Sequence, residues 1–156
     1  MKLYVASSWR NDRHPSVVAA LRQSGHEVYD FRNPMECDNG FHWSEIDPEW
    51  REWTPEEFRR GLSDPIARRG FETDWKAMQR ADACVLVMPC GRSAHLEAGW
   101  FVGAGRPLLI LLSDGEPELM YAMASRIYVT LDEMVNNLGR YEHTYPGSGL
   151  LRERIV

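Results

Sequence analysis

One carboxylate, Glu97, falls in the most apolar part of the chain, PCGRSAHLEAGWFVGAGRPLLILL, residues 89–112. Ala94, Leu96, Ala98, Trp100, Phe101 and Val102 surround it. A carboxylate buried without a partner carries a heavy desolvation cost. Glu97 is therefore either paired or directed into a cleft where it does chemistry. Its place in the first turns of a helix also favours its charge, because free N–H groups and aligned peptide dipoles lie there. Capping or a salt bridge is the plainer use of such a residue. The apolar helix and the Gly-Arg-Ser turn just before it favour the cleft.

Asp74 is a second carboxylate, beside Trp75 on the helix that leads into the next apolar strand. A solvated helix Asp is its ordinary reading. Two carboxylates can also divide the cleavage of a glycosidic bond, one attacking the anomeric carbon and the other handling protons. Gly91, Arg92 and Ser93 enter the Glu97 helix, where N–H groups, a guanidinium and a hydroxyl can converge on an anion. An ordinary N-cap by Ser93 accounts for the same residues. Ser7, Ser8 and Arg10 form a similar polar rim after the first strand. Trp43, with Phe41 and His42, is suited to stacking on a base or to stapling its loop to the core.

Other chemistries lack their residues. There is no GxGxxG and no Walker lysine, so dinucleotide redox and NTP hydrolysis have no support. Composition leaves room for a Ser-His-Asp triad, but no nucleophile elbow is present. Cys37, Cys84 and Cys90 are odd in number and lack metal-ligand spacing, which points to no metal site and no disulfide framework.

The elements that must position these residues alternate. Residues 2–8, 27–31, 83–89, 107–112 and 126–130 read as strands. The helices between them are expected over 14–25, 71–82, 93–105, 116–124 and 131–138. The run ACVLVMP is continuously apolar, as in a parallel strand covered on both faces. This pattern predicts a doubly wound five-stranded parallel sheet, a Rossmann/flavodoxin-like three-layer sandwich. Ligands of such sheets bind outside the carboxyl ends of the strands, where the loops after the first three strands meet. Residues 32–63 are the exception. They hold Trp43, Trp50 and Trp53 among prolines, with a helical turn at 55–61 the one recognisable element, and their aromatic content argues against disorder. The segment after Gly139 reads as irregular.

At 156 residues the chain reads as one domain, 1–156. Its net charge of −5 is spread without a basic stripe, so a nucleic-acid duplex is not an expected partner. No signal peptide and no membrane span is expected. A soluble, cytoplasmic protein is expected.

KLYVASSWRN, DWKAMQRADACVLVMP and GRSAHLEAGWFVGAGRPLLILL together resemble the nucleoside 2-deoxyribosyltransferase family, which includes the nucleoside 5′-monophosphate N-glycosidases. The resemblance covers residues 2–25 and 71–123 and leaves out the Trp-rich loop. It implies that Glu97 attacks C1′ of the sugar, that Asp74 assists proton transfer, and that Tyr4 holds the nucleophile. It places Ser7, Ser8 and Arg10 in a loop over sugar or phosphate, and Met123 where a neighbouring subunit reaches into the site. Gly91 departs from the pattern: transferases of the family commonly carry an Asp there, and some monophosphate hydrolases a phosphate-binding Ser. Arg92 and Ser93 are the candidates to replace it.

The expected activity is cleavage or transfer of the N-glycosidic bond of a nucleoside or nucleoside 5′-monophosphate, without a cofactor. The alternatives are a non-catalytic nucleotide sensor and an NAD glycohydrolase. The helix around Glu97 reads as apolar on all sides, and Met120, Tyr121 and Met123 follow on the next. Both features predict a homodimer or a dimer of dimers.

Overall fold

A computed structural model describes residues 1–35, 38–112 and 118–144, with side chains to Leu138 in the last helix. Five strands form one parallel sheet: β1 (Lys2–Ala6), β2 (Glu27–Asp30), β3 (Ala83–Val87), β4 (Leu108–Leu111) and β5 (Arg126–Tyr128), in the order β2-β1-β3-β4-β5. The register pairs Tyr4 with Cys84 and Val85 with Leu109. The helices are α1 (His14–Gln23), α2 (Pro55–Gly61), α3 (Pro65–Arg80), α4 (Arg92–Gly103) and α5 (Leu131–Thr144). The expected three-layer α/β architecture is the one found.

The chain forms two compact units, residues 1–29 with 80–156, and residues 30–79. In the first, strand alternation sorts the side chains. Leu3, Val5, Val85, Val87, Leu109 and Leu111 pack with Val17, Val18 and Leu21 of α1 and Met134 and Leu138 of α5. The alternate positions, Tyr4, Ala6, Cys84, Leu86 and Ile110, are also buried, and Tyr4 meets Phe101 of α4. β3 is apolar throughout because both of its faces are covered.

The second unit builds its order from aromatics. Trp43 lies edge-on to Phe41 and Trp53, with Phe58 tilted against it. Trp53 Nε1 donates to Asp47 Oδ2 at 2.6 Å. Thr54 caps α2 reciprocally with Glu57, satisfying N–H groups that the helix start leaves open.

Three expectations are corrected. α3 begins at Pro65 rather than at residue 71. Pro65 suits a helix's first turn, and Asp64 Oδ1 accepts the Ile66 N–H. Residues 119–123 form a 3-10 turn with no buried residue rather than part of an α-helix, and residues 116 and 117 lie outside the described residues. α5 continues past Gly139 to Thr144, and the rest of the expected irregular tail lies outside the described residues. α4 buries Ala94, Ala98 and Phe101, one stripe at helical spacing, and leaves Leu96 exposed. Among the described residues no helix is long and apolar enough to cross a membrane.

Candidate active site

The strand order reverses between β1 and β3, so the loops that follow them part at the carboxyl edge of the sheet, where folds of this kind open a crevice. The first loop carries Ser7, Ser8 and Arg10. Ser7 Oγ donates to the Val87 carbonyl at 2.9 Å, and Ser8 Oγ accepts the Arg10 N–H at 3.2 Å. Ser7 thus ties the ends of the two central strands together. The Arg10 side chain is exposed.

The second loop enters α4. Gly91 is the N-cap, with extended backbone (φ −91°, ψ 179°) and no side-chain cap. Ser93 therefore lies inside the first turn, and the alternative reading of it as the N-cap does not hold. Arg92 and Ser93 are both exposed.

Glu97 follows one turn later and is half-buried. Its charge raises the thiol pKa values of both Cys84 and Cys90, second in each case to burial. The carboxylate therefore acts on a thiol of β3 and on one in the turn that follows it. Phe101, one turn on and on the same stripe of α4 as Glu97, packs on Tyr4 with ring centroids 5.8 Å apart. Tyr4 also stacks on Tyr29 at 5.3 Å and is buried beside Cys84. Tyr4 and Glu97 therefore share one neighbourhood on the α4 side of the sheet.

Asp74 is half-buried on α3, within the second unit, and Trp43 belongs to that unit's aromatic cluster. Met123 is exposed at the end of the 3-10 turn. Among the described residues no group of three or more His, Cys, Asp or Glu side chains is arranged to hold a metal ion.

The structure adds residues that the sequence did not single out. Cys90 Sγ lies 3.3 Å from Met88 Sδ and 3.5 Å from His95 Nδ1. His95 Nε2 is 3.1 Å from the Tyr121 hydroxyl, and the two rings stack. The only cue to this cluster in the sequence is the spacing of Cys90 and His95 across a helix start. Asn11, buried between the two loops, had no cue at all: its partners Val87 and Pro89 are remote in sequence.

No protein-family model matches the chain, and no curated protein matches it. Solved structures do. The 2-deoxyribosyltransferase of the psychrotolerant bacterium Bacillus psychrosaccharolyticus superimposes with a TM-score of 0.60 at 17% identity, over 100% of both chains. The CMP N-glycosidase BcmB of Clostridium botulinum superimposes with a TM-score of 0.51 at 18% identity, over 90% of this chain and 99% of its own. The fold of this protein is the one those two proteins share.

Proposed function

We propose that the chain cleaves or transfers the N-glycosidic bond of a nucleoside or nucleoside 5′-monophosphate, with Glu97 as the nucleophile. The observation that carries this reading is the placement of Glu97. A half-buried carboxylate stands early in α4, the helix that follows the carboxyl end of β3, one turn before the Phe101 that packs on the buried Tyr4. The two fold relatives, a deoxyribosyltransferase and a CMP N-glycosidase, support it.

In this reaction a Glu97 oxygen bonds to C1′ as the bond from C1′ to the base nitrogen breaks. The bonding pair leaves with the base, which takes up a proton. Water, or the nitrogen of a second base, then attacks C1′, loses a proton and releases the Glu97 carboxylate. A carboxylate so placed also stabilises the oxocarbenium character of both transition states. The reading assigns proton handling to Asp74 and the steadying of the nucleophile to Tyr4. Ser8, Arg10, Arg92 and Ser93 are the contacts for sugar or phosphate, and Trp43 is one for the base. Ser7 contributes by holding its loop. Met123 belongs to the site of a second subunit in a homodimer. Free thiols at Cys84 and Cys90 suit the cytoplasmic setting expected from the sequence.

The test is release of free base from deoxynucleosides and their 5′-monophosphates, followed by chromatography, with Glu97→Gln beside the wild type. That variant keeps the side chain's shape and removes its charge. Turnover is expected to fall by several orders of magnitude, as for other covalent nucleophiles, with an unchanged circular dichroism spectrum. A sugar adduct on Glu97 in the intact-mass spectrum is expected in the wild type only. Base release by Glu97→Gln at the wild-type rate would overturn the assignment.

A further inference from the structure

We propose that Asn11 is the positioning residue of this rim: its buried carboxamide fixes the turn at residues 89–91 against the loop after β1, and so sets where α4 and Glu97 begin. Only the catalytic readout below rests on the proposed reaction.

Asn11 is 3% exposed. Its Nδ2 donates to Ser7 Oγ at 3.0 Å, to the Val87 carbonyl at 3.2 Å and to the Pro89 carbonyl at 3.0 Å. Its Oδ1 accepts the Arg13 N–H at 3.0 Å. Its backbone is engaged as well: the N–H donates to Ser8 O, and the carbonyl accepts the His14 N–H. The orientation of the amide follows from its partners. Ser7 Oγ gives its own hydrogen to the Val87 carbonyl, so it can only accept from Asn11. A flipped amide would set Oδ1 against two carbonyl oxygens. Two amide hydrogens thus serve three acceptors, one of them shared.

The bond to Pro89 has the widest consequence. Cys90 follows it, and Gly91, the N-cap of α4, comes next. The Gly91 carbonyl in turn receives the His95 backbone N–H and His95 Nδ1. Holding the Pro89 carbonyl therefore sets where the first turn of α4 starts, and Glu97 lies on the turn after. An attack on C1′ tolerates little error in that setting, since a displacement of about 1 Å costs roughly 100-fold in rate. Asn is the residue type that fits. Asp has no hydrogen for the three acceptors and would set a negative oxygen against two carbonyls. Ala leaves buried acceptors without a donor.

The experiment compares Asn11→Ala and Asn11→Asp with Val18→Ala. Val18 is buried in the core on α1, away from the turn. In the wild type Cys90 packs on Met88 and His95, so a freed turn exposes its thiol. Alkylation of Cys90 by iodoacetamide, resolved from Cys37 and Cys84 by peptide mass spectrometry, is expected to accelerate about tenfold or more in both Asn11 variants, as for a local opening, and not in Val18→Ala. Ser7→Ala removes one acceptor and keeps the carboxamide; it is expected to give an intermediate acceleration, and it stands in if Asn11→Asp fails to fold. In the assay for base release, kcat per folded molecule is expected to fall about 100-fold in the Asn11 variants with KM little changed, while Val18→Ala keeps its kcat. Wild-type alkylation rates in the Asn11 variants, or an equal acceleration in Val18→Ala, overturn the positioning role. If the wild type releases no base from any substrate, the reaction is wrong, and the alkylation rates alone decide on Asn11.

Discussion

Cys90 Sγ lies 3.5 Å from His95 Nδ1, but the two do not form a nucleophile and its base. Nδ1 is also 3.0 Å from the Gly91 carbonyl oxygen, which can only accept. The ring hydrogen is therefore on Nδ1, and the unprotonated Nε2 lies 3.9 Å from Cys90 Sγ but closer, at 3.1 Å, to the Tyr121 hydroxyl. The Cys90 thiol has a nearer partner in Met88 Sδ at 3.3 Å. Burial first, and the negative charge of Glu97 second, push the thiol up to about 11. A Cys–His nucleophile needs the opposite shift.

The shift sets a pH dependence. The thiolate is the form that alkylates. At pH 9 an ordinary thiol with a pKa of 9.0 is half ionised, whereas Cys90 is about 1% ionised. Its iodoacetamide rate should therefore keep rising with pH to a midpoint near 11. Glu97→Gln removes the second cause and should lower that midpoint, while burial, the larger cause, keeps it above the ordinary value. A midpoint that stays put in Glu97→Gln would place the Glu97 charge out of reach of Cys90.

Much of this was legible because it follows local periodicity. The short unbroken apolar run at 83–87, with its two valines, fits a strand covered on both faces, and such strands order the rest of the sheet. Glu97 stood out as a charge in apolar surroundings. What stayed hidden depends on partners remote in sequence. Asn11 reads as one more polar residue in SSWRN until its acceptors on Val87 and Pro89 are in place. α3 was placed six residues late because Ile66, in its first turn, is exposed and breaks the apolar pattern, so that only the Asp64–Pro65 start signal marks it. The 3-10 turn at Leu119–Met123 shows the converse: its residues are good helix formers, yet with none of them buried no packing extends the turn into an α-helix.

The turn that enters α4 should distinguish a phosphate from a bare sugar. Arg92 and Ser93 are exposed there, beside the free N–H groups of the first turn. Charge-assisted hydrogen bonds contribute about 1.5–3 kcal/mol each, so losing two of them in the double variant Arg92→Ala/Ser93→Ala should lower kcat/KM on a monophosphate by roughly 10²- to 10⁴-fold. The matching nucleoside should be used at nearly the wild-type rate. Equal losses on both substrates would reduce the turn to a structural element.

Two glycines close the aromatic cluster of the second unit. A Cβ on Gly61 would come within 2.6 Å of the Trp53 ring, and one on Gly70 within 2.8 Å of Phe41 Cβ. Gly61→Ala and Gly70→Ala must each push an aromatic aside, at an overpacking cost of about 1–3 kcal/mol. Gly70→Ala should be the more severe, because it meets the root of the Phe41 side chain rather than a ring edge that can swing. Urea unfolding followed by tryptophan fluorescence, to which Trp43 and Trp53 contribute among the six tryptophans, is expected to show both losses. Wild-type midpoints would mean that the cluster is loosely packed.

The outer side of α4 argues for a second subunit. Leu96 is 79% exposed, and across the 3-10 turn Leu119 is 86%, Met120 60% and Met123 47% exposed. Gly99 and Gly103 have nothing within 4 Å of where a Cβ would stand, so another backbone can approach closely. Exposed apolar groups gathered on neighbouring elements mark a contact surface, and one rich in Met adapts to its partner. Light scattering at micromolar concentration is expected to give a multiple of the 18.0 kDa chain mass. Leu96→Glu/Met120→Glu places charges at the centre of that surface and should yield folded monomers. If Met123 completes the neighbour's site, these monomers lose base release although Glu97 and Tyr4 are untouched. A wild-type monomer at full activity refutes the shared site, and an active monomer from the double variant shows that assembly serves stability alone.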